Sequence, residues 1–306
     1  MSARPEISIV GCGKVGSAVA QLANRAARPP VALADQRLDA ARVAAEAIGR
    51  PDAACSPAEA AGAGSLVLLT VNDDAIAALC EDLAEIEAFG PGTIVAHCCG
   101  ALPGEILAPA RDKCGCSIGS VHPLQTFPSA EAAIEKFPGT YCFCEGDAAA
   151  VGALEQLARD LGGIPVRIDS DAKVLYHAAA VVACNYLVAL LDAATALCAR
   201  AGIDAGTARA ALKPLLAATL ENVTELGAPA ALTGPIARGD VETVRRHLDA
   251  MKDCPPELQE FYRVAGRWTL QLAGRSGKLK PEAADAMRRL LETENPKEQA
   301  HGSTVD

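Results

Sequence analysis

Lys173, His177 and Asn185 stand four and twelve residues apart along a stretch that otherwise reads as an apolar helix. At about 100° per residue, the successive spacings of four (Lys173 to His177) and eight (His177 to Asn185) place all three on one stripe of the helix. Such groups are costly to bury without partners, so the stripe is expected to face a polar cleft and meet a carbonyl or imine. In that setting Lys173 orients or polarises the substrate, His177 gives or takes a proton, and Asn185 holds the carbonyl oxygen. Two more of the five histidines end apolar runs: His97 in His97-Cys98-Cys99-Gly100 and His122 in His122-Pro123-Leu124-Gln125. Histidine is the side chain most readily tuned for proton transfer near neutral pH. His97, Gly100, His122 and Gln125 are therefore expected to line the substrate pocket. Arg238, in the segment Leu232–Asp240, is expected to grip a carboxylate or phosphate. Each also has a plain structural reading: a capping lysine, hydrogen-bonded core residues, or an interhelical loop.

A second constellation points to a nucleotide. Gly11-Cys12-Gly13-Lys14-Val15-Gly16 fits G-x-G-x-x-G and lies between a short apolar run and a helical stretch. Gly11 permits a tight turn, Gly13 lets a pyrophosphate approach the backbone, and Gly16 lets the helix pack on the sheet. The helix start adds free N–H groups and the positive dipole end. Asp35, with Gln36 beside it, ends the second apolar run and is placed to accept from the adenosine ribose, which leans the reading to NAD; Arg37 leaves NADP open. Thr70, Val71 and Asn72 follow the run SLVLLTV and are placed beside the ribose or nicotinamide, with Asp73 or Asp74 capping the next helix.

The elements that position these residues alternate. Ile7–Val10, Val31–Ala34, Ser65–Val71, Thr93–His97, Ser117–Val121, Thr140–Glu145 and Pro165–Ile168 read as strands, with helices between. This predicts an α/β fold, a Rossmann-type doubly wound, mainly parallel sheet over 1–168. From 169 to 293 only helical patterns follow, predicting an all-helical substrate and dimerisation domain, with Asp240 capping one of its helices. Residues 294–306 read as a flexible tail.

Composition narrows the function. A net charge of −10 and 3% aromatic residues argue against nucleic-acid binding. The longest uncharged apolar run, 178–191, is too short to span a bilayer, so it predicts a buried core helix, no membrane and a cytoplasmic protein. The twelve cysteines include Cys114-Gly-Cys116 and Cys142-Phe-Cys144. Their one-residue spacing does not suit zinc, and no metal is expected.

The segments ISIVGCGKVGSA, LVLLTVNDDAI, HCCGALPGEIL, SVHPLQTFP, DAKVLYHAAAVVACNYLVAL and LTGPIARGDVETVRRHL together resemble a bacterial family of Rossmann-like proteins with a helical C-terminal domain of unknown function, commonly labelled NADP oxidoreductases. Cys99 stands where that family more usually has serine. The wider superfamily looks like the 6-phosphogluconate, β-hydroxyacid and ketopantoate dehydrogenases and reductases; several place a Lys and an Asn on the first long helix after the Rossmann domain. Lys173 and Asn185 resemble that pair, with His177 replacing an expected asparagine. The resemblance implies hydride transfer between NAD or NADP and a small keto acid, hydroxy acid or imine in an interdomain cleft, in a homodimer built through the helical domain. The competing expectation is a nucleotide-sensing protein without catalysis.

Overall fold

A computed structural model describes residues 4–277 and 279–292; the tail at 294–306 lies outside the described residues. Eight strands form one sheet: β1 Ile7–Val10, β2 Ala32–Ala34, β3 Ala54–Cys55, β4 Leu66–Leu69, β5 Ile94–His97, β6 Ser117–Pro123, β7 Tyr141–Gly146 and β8 Ile164–Arg167. Their order is β3-β2-β1-β4-β5-β6-β7-β8. Every neighbouring pair is parallel except β6 and β7. The chain winds outward from β1 to β3, then restarts at β4 on the other side of β1, so a switch point lies beyond the carboxyl ends of β1 and β4. The fold is therefore the Rossmann-type, mainly parallel sheet that the alternating pattern predicts. β1 and β4 are buried along their whole length, as their unbroken apolar runs require when helices cover both faces.

The helices of the sheet unit are α1 Lys14–Arg25, α2 Leu38–Ala47, α3 Pro57–Ala63, α4 Ile76–Glu85, α5 Ala108–Cys114, α6 Ala130–Lys136 and α7 Ala148–Asp160. They close two aliphatic clusters. One joins Ile9, Leu33, Leu68 and Leu154. The other joins Val10, Val67, Leu69 and Ile118. Asp73 and Asp74 lie in a single 3-10 turn after β4, and neither caps α4: the N-cap there is Ala75, with no side-chain bond.

α8 spans Lys173–Arg200 and is followed by α9 Ala205–Leu226, α10 Ala228–Ala231, α11 Pro235–Arg238, α12 Val241–Ala250, α13 Pro256–Arg275 and α14 Pro281–Glu292. No strand lies beyond residue 167 among the described residues, which is the expected helical region. Two of its helices start on aspartate caps: Asp204 accepts from the Gly206 and Thr207 amides, and Asp240 from the Thr243 amide at 3.0 Å. The compact units divide inside α8, after Tyr186, although the change of pattern comes at 168/169. The first turns of α8 belong with the sheet because Lys173 is buried there. The second unit packs its own core around Val244, Leu248, Leu270, Met287 and Leu291.

One expectation is corrected. The apolar stretch of α8 is not a buried core helix within one chain. An 18-residue window in 170–200 has mean hydropathy 1.9, with no residue of it buried. Leu175 and Val188 are 78% and 65% exposed. Residues on all sides of α8 are apolar, so one supporting layer could not cover it.

Candidate active site

The glycine loop has the shape its sequence requires. Gly11 takes φ +110°, and a Cβ there would meet the Thr70 carbonyl carbon at 2.6 Å. A Cβ on Gly16 would lie 1.9 Å from the Gly11 carbonyl oxygen, so α1 packs against the loop at that point. At Gly13 nothing lies within 4 Å of a Cβ, and this residue is the N-cap of α1 with no side-chain bond. The approach to the helix N-terminus is thus open where a pyrophosphate would come. The Thr70 hydroxyl donates to the Gly11 carbonyl at 2.6 Å and ties β4 to the loop. A cavity of about 540 Å³ is lined by Gly11, Gly13, Asp35, Gln36, Thr70 and Asn72, together with Val71. Cys12 and Val15 do not line it: the Cys12 thiol points to the Ala34 carbonyl, and Val15 packs on the core. Lys14 is exposed.

Asp35 is committed to the protein. Its Oδ2 accepts from the Cys12 amide at 2.8 Å and its Oδ1 from the Arg37 amide at 2.9 Å. Arg37 and Arg42 are exposed and line a second hollow that touches Cys12 and Ser17.

His97 ends β5 fully buried, and both its nitrogens are occupied by backbone. The Cys99 amide donates to Nδ1 at 3.1 Å, and Nε2 lies 3.2 Å from the Pro103 carbonyl. Only the neutral ring protonated at Nε2 satisfies both. Burial pushes its pKa down to about 4. The ring thus staples the loop from His97 to Gly104. Cys99 accepts the Ala101 and Leu102 amides on its sulfur in the same loop; burial holds its thiol above the ordinary cysteine range.

Lys173 is also enclosed, at 1% exposure. Its Nζ donates to the Cys99 carbonyl at 3.0 Å and to the Ser120 hydroxyl, and lies 3.6 Å from the Glu145 carboxylate. Ser120 in turn donates to Glu145. The Gly104 amide and the Ser170 hydroxyl complete the carboxylate's shell at 2.7 and 2.6 Å. Burial pushes the Glu145 carboxyl up, but these hydrogen bonds and the lysine charge outweigh it and hold it below its ordinary value. Burial pulls Lys173 down, opposed chiefly by Glu145. Lys173 therefore joins α8, β6, β7 and the His97 loop.

His122 and His177 come together above Gly100. Their ring centroids are 6.0 Å apart. A Cβ on Gly100 would lie 2.6 Å from His177 Cδ2 and 2.9 Å from His122 Nε2, so a side chain at residue 100 would displace both rings. His122 lies inside β6 rather than after it, directly opposite Phe143 on β7. Its Nδ1 is 2.8 Å from the Tyr176 hydroxyl. Asp73 is within electrostatic reach of His97, His122 and Cys99.

The structure thus brings His122, His177 and Gly100 together, with His97 and Lys173 beneath them as fixed supports. Asn185 is exposed farther along α8. Gln125 braces its own loop, donating to the Lys136 carbonyl and the Thr140 hydroxyl. Arg238 belongs to the second unit, where it borders a hollow with Thr233 and Ser276. The residues missed from sequence are Glu145, Ser120, Ser170 and Tyr176. An acid ending the apolar run Thr140–Glu145 was a usable signal, since a buried carboxylate needs a cation. Tyr176 gave none, because its partner is 54 residues away in sequence. All twelve cysteines are free, and no group of three or more potential metal ligands occurs among the described residues. Cys142 and Cys144 share the inner face of β7, and burial pushes both thiols up to about 12.

Residues 1–123 match a Rossmann-like domain, and residues 140–269 match a domain of unknown function, DUF2520. The chain thus carries a Rossmann-like domain followed by a DUF2520 domain. No curated protein matches it. Among solved structures, a Bacteroides fragilis protein described as a candidate NADP oxidoreductase is 22% identical, with 87% of this chain and 98% of that one covered and a TM-score of 0.71. An imine reductase from a Pseudomonas species is 17% identical, with 94% and 99% covered and a TM-score of 0.64. A reductive aminase from Aspergillus terreus, in complex with NADPH and ethyl-5-oxohexanoate, is 18% identical, with 98% and 95% covered and a TM-score of 0.57. At these identities the likeness shows a shared fold and nothing finer.

Proposed function

We propose that the chain is an NADP(H)-dependent oxidoreductase acting on a small carbonyl or imine compound. The observation that carries this reading is the pairing of an open glycine cradle with two imidazoles gathered over Gly100, at the carboxyl ends of neighbouring strands. Gly11, Gly13 and the N-terminus of α1 would hold the pyrophosphate, with Thr70, Val71 and Asn72 beside the ribose and nicotinamide. The cofactor, when bound, supplies or accepts a hydride. His122 and His177 bind the heteroatom of the substrate and manage its proton. Lys173 acts as a positioning residue: it holds the Cys99 carbonyl, and so the backbone leading to Gly100. Asn185 is a secondary candidate for substrate contact.

Within the classes considered, Asp73 favours a substrate that is or becomes cationic, such as an imine, over a keto acid or hydroxy acid, because a carboxylate stabilises a nearby positive charge. The imine reductase and reductive aminase among the similar folds support this choice.

NADP is favoured over NAD because both oxygens of Asp35 already accept backbone N–H groups, while the exposed Arg37 and Arg42 line the hollow beside the loop, Arg42 held by a surface contact to Asp39 at 3.5 Å. A guanidinium pairs well with a 2′-phosphate. In calorimetric titrations NADPH is expected to bind at least tenfold more tightly than NADH, and Arg37→Ala to remove most of that difference. Equal affinities would refute the NADP assignment, and binding of neither would refute the oxidoreductase. Given NADPH binding, His177→Ala is expected to lower kcat/KM on a responsive cyclic imine by about 10²–10⁴-fold.

The exposed length of α8 calls for a cover, and a second copy of the chain is the occupant proposed. Lipid is disfavoured because Asp192 stands mid-helix, where a charge costs about 3 kcal/mol in a bilayer, and because the first turn of α8 is bound into the sheet. Light scattering at micromolar concentration is expected to give twice the chain mass of 31.4 kDa. A monomer without detergent, or vesicle binding, would refute it.

A further inference from the structure

We propose that Tyr176 sets the tautomer of His122, so that the ring carries its proton on Nε2 and presents that N–H over Gly100. Tyr176 is then a positioning residue, and His122 an uncharged hydrogen-bond donor to the substrate heteroatom. The donor role rests on the oxidoreductase reading; the tautomer does not.

The argument is one of proton accounting. Two protons are shared between the phenol and the imidazole. Burial pushes the Tyr176 phenol up to about 12, so it keeps its proton. Burial also pushes His122 down to about 4. The groups facing it are Lys173, His177 and His97, which oppose its charging, and Asp73, which favours it. At neutral pH the ring therefore holds one proton. If that proton sat on Nδ1, the ring would donate to Tyr176, and the phenol proton would have to turn from the protein to solvent, since no other acceptor within the described residues bonds it. With the phenol donating to Nδ1 at 2.8 Å, every proton is used and Nε2 keeps its own. The phenol cannot easily turn away: its ring lies against Phe143 at 4.3 Å between centroids, and Phe143 is paired directly across from His122 in the β6–β7 ladder. On the other side, Nε2 is one of the atoms that would meet a side chain at residue 100. Nε2 thus borders a space kept open by glycine.

A fixed neutral donor suits hydride addition. Electron density grows on a carbonyl oxygen or an unprotonated imine nitrogen as the hydride arrives, so a donor held in place strengthens its bond mainly in the transition state. The N–H needs no protonation event to be ready near neutral pH.

The test uses the full-length protein labelled with ¹⁵N. Long-range ¹H–¹⁵N spectra of the histidine rings are recorded at pH 7, with His122 assigned by its loss in His122→Gln. The expected result is a proton on Nε2 and a hydrogen-bonded, unprotonated Nδ1, unchanged down to about pH 5. Tyr176→Phe keeps the stacking on Phe143 and should fold. In it the Nδ1 signal is expected to lose its hydrogen-bonded shift, and kcat to fall about tenfold with NADPH affinity unchanged. A proton on Nδ1 in the unaltered protein, or the same His122 spectrum in Tyr176→Phe, would overturn the proposal. If the tautomer is as expected but NADPH does not bind, the oxidoreductase reading fails and the tautomer assignment stands.

Discussion

Replacing Lys173 by methionine is expected to lower the unfolding free energy by about 3–5 kcal/mol, the usual cost of stripping a buried charge of its partner. The Glu145 carboxylate would remain almost fully enclosed, holding the Gly104 amide and two serine hydroxyls but no cation. Glu145→Gln should be damaging for the mirror-image reason. The double variant should recover at least half of the summed losses, because it removes both charges together. Urea denaturation of the four proteins checks this. A Lys173→Met protein with the original urea midpoint, but with turnover lost, would return Lys173 to direct contact with substrate.

The second large effect is with acid. His97 and His122 have folded pKa values near 4, against an ordinary value of 6.5. Between those values the unfolded chain takes up protons that the folded chain refuses, so stability is full above about pH 6.5 and falls as pH drops towards 4. Each such group changes stability by about 1.4 kcal/mol per pH unit in that window. His97, with no exposure, should contribute roughly 3 kcal/mol by pH 4, and His122, partly open, somewhat less. Glu145 adds to the loss at lower pH, since its depressed pKa stabilises the fold only while it is ionised. Urea midpoints at pH 7.5, 6 and 5 are expected to fall steadily. In His97→Gln the slope should be shallower by one group; an unchanged slope would mean that His97 titrates alike in both states.

Much of the fold was legible because its signals are local. Short apolar runs bounded by turn residues, such as Leu66–Leu69, read as strands covered on both faces, and the absence of Pro and Gly from Lys173 to Arg200 marks one helix. Asp240 was read as a cap from its place before Val241, and it caps. The glycines were legible for the same reason: each role depends on backbone within a few residues or on the next strand. The candidate site was less so. Lys173 was picked out by type and spacing, but spacing shows only which residues share a stripe of a helix. It does not show that Glu145, on a strand paired antiparallel to its neighbour, arrives beneath that stripe and takes the lysine out of reach of solvent.

Alternation of apolar runs with helices, the glycine motif and the long apolar helix were thus determined by sequence alone, through periodicity and backbone sterics that act over a turn or two of chain. The tertiary structure decided which polar residues are supports and which face open space. His97 and Lys173 are saturated with partners. His122 and His177 meet over Gly100 because β5, β6 and the start of α8 converge there. Asp35 spends both oxygens on backbone amides, and α8 lies bare along most of its length. Apart from the His97 bonds and the Arg37–Asp35 bond, which close over two to six residues, these depend on distances between residues far apart in sequence, which only the packed chain sets.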